Sequence, residues 1–346
     1  MSGLVLLSHD LFPLHLLIVF LFGAVMGSFF NVCIYRLPLG QSLNRPRRSF
    51  CPSCGTTIAW YDNIPLVSYL LLGGLCRHCG GRIAGRYWWV EFLTALLFAA
   101  AFWVHRYTVA TPLFLALTAV LIIATFTDLD HWIIPDSVSL GGTAVGIAAA
   151  LVLSALGTAE RWSDIGRSLY VADLFRERLG PWGIAANALA GAAFGFGLLW
   201  TVGLIGTLLF RKEAMGMGDM KLFACVGAFL GWQGSLLVLA LASFLGATLG
   251  LSLLATEWIV ARLSRVEPQL AVQAAGTGGG ESGAGESALS EHPVPALQRR
   301  PKGRQLHHLP FGPYIAVAGY IVALFYRPMT DWLMRHLFIF DLFVYR

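Results

Sequence analysis

Long apolar runs separated by short polar segments dominate the chain. Eight of these runs are candidates for membrane-spanning helices. They are predicted at residues 11–34, 89–105, 112–126, 134–156, 182–210, 220–232, 236–260 and 311–326. The run 220–232 is short for a full span, so it either re-enters the membrane or continues into its neighbour across the sequence GWQG. The pattern therefore predicts an all-α polytopic membrane protein with about eight transmembrane helices.

Composition supports this prediction. Of the 346 residues, 57% are hydrophobic and 12% are charged, whereas soluble domains have roughly 25% charged residues. The net charge of +5 does not come from arginine-rich stripes interleaved with aromatic residues, so nucleic-acid binding is not expected. Membrane lipid is the expected environment, and nothing in the sequence specifies an oligomeric state.

The basic residues indicate how the chain is oriented in the membrane. Lysines and arginines concentrate after the first, fifth and seventh predicted spans, and alternating spans would put all three segments on the cytoplasmic side. The predicted outer loop, residues 157–181, also carries four arginines and is the exception to this rule.

The spans and loops divide the chain into five predicted segments. A first transmembrane helix (1–35) is followed by a small cytoplasmic domain (36–88), a transmembrane core (89–262), a cytoplasmic loop (263–308) and a last transmembrane helix with its tail (309–346). The loop is rich in Gly, Ser, Ala and Glu, and is predicted to be disordered because it has almost no large apolar residues to bury.

Four of the six cysteines form two CxxC motifs separated by 21 residues, Cys51 with Cys54 and Cys76 with Cys79. Two such knuckles can supply four thiolates to one tetrahedral Zn²⁺. A four-cysteine site has no open coordination position, so the zinc would be structural and would stabilise a domain of about fifty residues that is too small to fold alone. The alternative is two disulfides or redox-active dithiols, and a reducing cytoplasm disfavours the disulfides.

Carboxylates are expensive beside the bilayer and are retained there mainly for function. Asp128, Asp130 and Asp136 lie in TDLDHWIIPD at the end of the third run, and Asp219 lies in GMGD at the start of the sixth. Alternating spans put both stretches on the cytoplasmic side, so Asp128 and Asp219 are expected to meet. A close pair of carboxylates shares one proton, and the pair can act as general acid and general base.

Structural roles are the alternative for each charged residue here. Asp130 would pair locally, for instance with His131, and Asp136 would cap the next helix. Lys221 would pair with Asp219 or contact phospholipid head groups. A purely structural role for both Asp128 and Asp219 also remains open from chemistry alone.

Six motifs in order resemble those of the bacterial type IV prepilin peptidases, which are GxGD aspartic proteases. They are GSFFNVCIYRLP, CPSC…CRHC around NIPLVSYLLLGG, RYWWVEFLTAL, TDLDHWIIPD, GMGDMKL and PFGPYIAVAGY. The resemblance implies an endopeptidase of the bacterial inner membrane that cuts the leader from type IV prepilins and secretion-system pseudopilins. The cut falls after a Gly at the cytoplasmic face, and the catalytic pair carries over to Asp128 and Asp219, within a peptidase core at residues 89–262.

The resemblance also implies a second activity. Many members of this family N-methylate the newly exposed residue with S-adenosylmethionine, and this activity is associated with the region that holds the four cysteines. All four are present in this chain, which favours a bifunctional enzyme. Gly74, in LGGLC, matches a family glycine linked to methylation and is the candidate residue for binding the methyl donor.

Two other classes of protein are the alternatives. A Mg²⁺-dependent membrane lipid transferase also places aspartates at the mouths of membrane helices, but it would need a denser acidic cluster and basic residues for a diphosphate. A proton-coupled transporter would place carboxylates near mid-membrane and show internal repeats, and the sequence shows neither.

Overall fold

The computed structural model describes residues 11–45, 48–108, 110–156, 178–211, 215–264 and 310–336. The predicted disordered loop, most of the outer loop and the last ten residues lie outside the described residues. The chain divides into two units, Met1–Ser243 with Pro310–Arg346, and Phe244–Leu309. All the sites considered below lie in the first unit.

The described residues are helical and contain no β-strand, with two isolated β-bridges between residues 50 and 82. The helices are α1 (Phe12–Arg36), α2 (Val67–Leu71), α3 (Arg86–His105), α4 (Ala110–His131), α5 (Asp136–Ala155), α6 (Gly183–Phe210), α7 (Met217–Ser264) and α8 (Gly312–His336). Short 3-10 turns at Trp60–Asn63 and Gly180–Trp182 complete the regular structure.

The all-α polytopic prediction is confirmed. Within the described residues, six helical segments are long and apolar enough to cross a membrane. One of them, Met217–Ile259, contains both the sixth and the seventh predicted spans, which meet at a kink where the backbone of Gly231 is not helical. The apolar part of α8, Gly312–Tyr326, is shorter and corresponds to the eighth predicted span.

The bend in α7 has a local cause. Gly231 has a φ of 71° and a ψ of 178°, a conformation that is essentially restricted to glycine. The side chain of Asn187, from α6, occupies the space where a Cβ atom of residue 231 would be. The first half of α7 then packs closely on α6. Gly191 and Gly227 permit this contact, because the two backbones approach so closely that neither position has room for a methyl group.

Helix α4 is central to the first unit and packs against α1, α3, α5 and α8. Apolar side chains of α1, α3, α4 and α5 form a buried cluster: Phe30, Cys33, Ile34, Val90, Phe98, Ile122, Ile123 and Val138. Cys33 therefore has the packing role expected of it, as does the fully buried Cys225. This packing fixes the end of α4, which carries Asp128 and Asp130.

Candidate active site and metal centre

Asp128 lies in the last turn of α4 and is 7% exposed. Its Oδ2 atom has no hydrogen-bond partner among the described residues, although the backbone amide of Gly312 lies beside the carboxylate. A Cβ atom added at Gly312 would lie 2.5 Å from Asp128 Oδ2. The start of α8 thus closes over one side of this carboxylate, and only a residue without a side chain allows that approach.

Asp219 lies in the first turn of α7 and is half-buried. A helix N-terminus favours a nearby negative charge, because the backbone N–H groups of the first turn are unpaired and point out of the helix toward that charge. The Asp219 carboxylate is close enough to Asp128 for a direct electrostatic interaction between them. The structure therefore brings together the two aspartates that the sequence selected.

Asp130 and Asp136 have partners that the sequence analysis did not identify. Asp130 forms an ion pair with Arg86, the first residue of α3, and not with His131. Asp136 Oδ1 accepts a hydrogen bond from Lys221 Nζ at 2.7 Å. One member of each ion pair lies two positions after an aspartate of the candidate active site, on the same helix. Asp130 follows Asp128 on α4, and Lys221 follows Asp219 on α7.

Three structural predictions from the sequence are therefore wrong: the local pairing of Asp130, the capping role of Asp136 and the pairing of Lys221 with Asp219. Asp136 is the first residue of α5 and makes no capping hydrogen bond, because Pro135 occupies the cap position. Lys221 does not pair with Asp219. These partners lie far apart along the chain, so no local spacing rule indicates them.

The four cysteines Cys51, Cys54, Cys76 and Cys79 converge at one point, with all four sulfur atoms within 4.8 Å of one another. None of them is in a disulfide. The Sγ atoms of Cys51 and Cys79 are 3.9 Å apart, close to the ~3.8 Å edge of a tetrahedron with Zn–S bonds of about 2.3 Å. The donor set and its geometry fit a structural zinc ion.

The two knuckles have the same backbone geometry. In each, the amide of the first cysteine donates to the carbonyl five residues later, and its carbonyl accepts from the amide four residues later, all at 2.9 Å. The amide of Gly81 donates to Cys79 Sγ at 3.4 Å. The hydroxyl and the amide of Thr56 lower the pKa of the Cys54 thiol to about 6, which favours the thiolate that binds metal.

Gly74 lies in the turn between α2 and the second knuckle. Its φ is +70°, its amide donates to the carbonyl of Tyr69 and its carbonyl accepts from the amide of Ile83 at 2.7 Å. A Cβ atom at this position would lie 2.9 Å from the hydroxyl of Tyr69. These contacts are a sufficient structural reason for a glycine at position 74.

A cavity of about 410 Å³ lies between the cysteine-bearing segment and the adjoining ends of α1 and α3. We call it the knuckle cavity; it is lined among others by Asn31, Cys51, Tyr69, Cys76, Trp88 and Glu91. The sequence analysis missed it, because its wall comes from three separate stretches of the chain and no motif spacing records their convergence.

The fold and the site define a class of protein: a polytopic helical membrane protein with two interacting carboxylates at helix ends and a cluster of four cysteines that could hold a metal ion. Comparison with known proteins agrees. Residues 21–105 match the model of the bacterial peptidase A24 N-terminal domain, and residues 115–251 match that of the type IV leader peptidase family. The first match contains the cysteines, and the second contains both Asp128 and Asp219. The chain belongs to the type IV leader peptidase family.

Its relatives include proteins named prepilin leader peptidase/N-methyltransferase. The one from Myxococcus xanthus is 42% identical over 245 residues, which are 70% of this chain and 65% of that relative. The one from Aeromonas hydrophila is 32% identical over 97% of this chain and 99% of its own length. The one from Pseudomonas aeruginosa is 32% identical over 94% of both. No solved structure matches the chain significantly.

Proposed function

We propose that this chain is a membrane aspartic endopeptidase that removes the leader from type IV prepilins or pseudopilins at the cytoplasmic face of the bacterial inner membrane. The cut falls after a glycine, and the enzyme then N-methylates the new N-terminal residue with S-adenosylmethionine. Relatives aligned along nearly the whole chain have names that contain both activities. The structural observation that carries the proposal is the approach of the Asp219 and Asp128 carboxylates.

The two aspartates divide the acid and base roles. Because they are close and largely removed from water, they hold one proton between them. The ionised carboxylate takes a proton from a water molecule, whose oxygen attacks the carbonyl carbon of the glycine before the cut. The protonated carboxyl group donates its proton to the carbonyl oxygen. When the tetrahedral intermediate collapses, the C–N bond breaks and the leaving amine takes the proton that was removed from water.

The surroundings of the pair suit this role. Asp128 Oδ2, which is buried and has no hydrogen-bond partner among the described residues, can hold the shared proton. The two ion pairs leave Asp130 and Asp136 as charged partners of basic residues, so neither is the second carboxylate. The apolar segment of the substrate lies against the membrane-facing helices.

The zinc has a structural role in this proposal. Cys51, Cys54, Cys76 and Cys79 would hold it, and four thiolates would leave no coordination position for a substrate. The ion would join the two knuckles, which are separated by 21 residues along the chain.

The two alternative functions are not favoured. A Mg²⁺-dependent lipid transferase needs free carboxylates in a cluster, whereas Asp130 and Asp136 are each paired with a basic side chain. A proton-coupled transporter needs carboxylates near mid-membrane, whereas Asp128 and Asp219 lie in the last turn of α4 and the first turn of α7. Membership of a peptidase family also argues against both.

Leader cleavage by purified variants tests the proposal. Asp128→Asn and Asp219→Asn each remove the shared proton site, so each is expected to slow cleavage by about 100- to 10,000-fold. Asp130→Asn is the matched control on the same helix and is expected to be milder. Zinc content and insertion into the membrane should stay normal in all three. Wild-type cleavage by either Asp128→Asn or Asp219→Asn would overturn the proposal, and complete loss only in Asp130→Asn would move the catalytic role to Asp130.

A further inference from the structure

We propose that the knuckle cavity is the binding site of the methyl donor, with Glu91 facing the donor's positive charge. This inference rests on the proposed methyltransferase activity and adds a location and a set of residues to it. Four features of the cavity support it: its size, its charge, its unpartnered polar groups and its link to the peptidase site.

The size of the cavity fits a cofactor-sized molecule. Its volume of about 410 Å³ lies in the range of roughly 300–1,000 Å³ that is usual for small-molecule sites. One wall is the cysteine-bearing segment, including Cys51 and Cys76, and the opposite wall is formed by α1 and α3. The cysteine cluster therefore shapes the cavity. The four cysteines would support methylation by forming the site, without taking part in the chemistry.

The charge in the cavity suits a cationic ligand. Glu91 is half-buried, and no salt bridge to it is found within the described part of the chain. Among the other Asp and Arg side chains of the wall, Arg77 and Asp62 neutralise each other in a salt bridge of 2.7 Å. The Arg36 guanidinium donates to the carbonyls of Ser42 and Leu43, which do not line the cavity.

S-adenosylmethionine carries a sulfonium and an ammonium group, and either would be attracted by the carboxylate of Glu91. Aromatic rings of the wall, Tyr69, Tyr87 and Trp88, can add cation–π attraction to the same charge. The cavity therefore favours a ligand with a positive charge beside a flat ring system.

Two polar groups of the wall lack hydrogen-bond partners among the residues that the structure describes. Asn31 is 4% exposed, and its Nδ2 donates to the carbonyl of Tyr87 at 3.0 Å, but its Oδ1 has no partner. The indole Nε1 of Trp88 is also buried and unpartnered. Unpartnered buried groups cost free energy, and a bound ligand that supplies one donor and one acceptor would remove that cost.

The cavity is linked to the peptidase site. Arg86, adjacent to the cavity-lining Tyr87, pairs with Asp130, which lies two residues from Asp128. One short stretch at the start of α3 therefore contacts both places. The start of α3 thus connects the two proposed sites, so that cleavage and methylation can follow one another on the same protein.

A purely structural role for Glu91 makes a different prediction. Its Oε2 accepts a hydrogen bond from the amide of Leu66 at 2.8 Å, and Leu66 has a positive φ of 64°. Glu91→Gln retains an oxygen that can accept this hydrogen bond and removes only the charge. A structural role alone therefore predicts normal donor binding in Glu91→Gln.

The test is equilibrium dialysis of labelled S-adenosylmethionine against the full-length protein in detergent. Glu91→Gln is expected to weaken binding at least tenfold, and Glu257→Gln, at an exposed position outside the cavity, should leave it unchanged. Thr57→Trp is expected to fill the cavity and abolish binding. Val67→Trp, at an exposed position of the same segment that does not line the cavity, is its control. All variants should retain zinc and leader cleavage.

The outcomes separate this inference from the proposed function. Normal donor binding by both Glu91→Gln and Thr57→Trp would overturn the inference, while methylation by the wild-type protein would leave the proposed function intact. A wild-type protein that cleaves leaders but neither binds nor uses S-adenosylmethionine would overturn the inference and the methyltransferase proposal together.

Discussion

The position of the Asp128 carboxylate depends on a neighbouring glycine, Gly312. Gly312, the first residue of α8, lies against the carboxylate so closely that any Cβ atom would press on Oδ2. Glycine therefore sets where the carboxylate stands relative to Asp219. Displacements of about 1 Å at reacting groups can lower rates roughly 100-fold, so this contact should affect catalysis more than stability.

Gly312→Ala is accordingly expected to slow leader cleavage by about 100-fold, because the new methyl group would push the Asp128 carboxylate from its position. Gly319→Ala is a matched control on the same helix, where the nearest atom would lie at an ordinary contact distance of 3.6 Å. Cleavage rates of the two purified variants, with methylation of a leader-free pilin as a second readout, check this. Equal rates for both variants would show that Gly312 does not position Asp128.

Between helices, ion pairs fix the two segments that carry the aspartates. The Arg86–Asp130 pair joins α3 to α4, and the Lys221–Asp136 pair joins α7 to α5. The side chains of the first pair are 30% and 27% exposed, so water screens the attraction only in part. We expect these pairs to hold the helix ends in register.

The Arg86–Asp130 pair makes a testable prediction. Arg86→Asp and Asp130→Arg, made singly, should each lower leader cleavage, and the double variant should recover most of it, with a coupling of about 1 kcal/mol or near fivefold in rate. Cleavage rates measured as a double-mutant cycle give this coupling directly. Additive losses would show that the pair has no positioning role.

The kink in α7 at Gly231 is a second feature at the scale of the helices. Gly231→Ala should destabilise the protein by about 1–3 kcal/mol or more, since alanine disfavours this backbone conformation and its methyl group would meet Asn187. Gly197→Ala, where nothing lies within 4 Å, is the control on α6. Thermal unfolding in detergent compares them, and an unchanged melting temperature in Gly231→Ala would contradict this account of the bend.

Most of these elements could be predicted from the sequence, and the failures have physical reasons. Apolar runs of span length identify helices without knowledge of the neighbouring helices. The alternation of spans across a membrane was sufficient to predict that Asp128 and Asp219 lie on the same side and close together. The partners of Asp130 and Asp136 lie on other helices, so helix spacing carries no information about them. The bend at Gly231 was ambiguous because an apolar run looks the same whether its helix is straight or broken.

At the scale of the whole molecule, the four-cysteine cluster that could hold a metal adjoins the cavity proposed to bind the methyl donor. The four sulfur atoms lie at one end of the knuckle cavity, and Cys51 and Cys76 form part of its wall. The proposed catalytic pair, Asp128 and Asp219, lies on α4 and α7, far along the chain from the four clustered cysteines. Loss of the metal should therefore affect the two activities unequally.

Cys51→Ser is expected to release zinc and to lower methylation by at least about tenfold, with a smaller effect on leader cleavage. Cys225→Ser, a buried cysteine in α7 outside the cluster, should retain the metal and both activities. Metal analysis of the purified proteins and separate rates for the two reactions provide the test. Purified wild-type protein that is folded but free of zinc would contradict the metal assignment itself.

The most direct test of the account is to incubate the purified protein with a prepilin and labelled S-adenosylmethionine, and to score leader removal and label transfer in the same sample. The wild-type protein should truncate the prepilin and label the product. Asp128→Asn and Asp219→Asn should do neither with the intact prepilin, yet should label a pilin supplied without its leader. Leader removal by either variant would contradict the central claim that these two carboxylates together perform the cleavage.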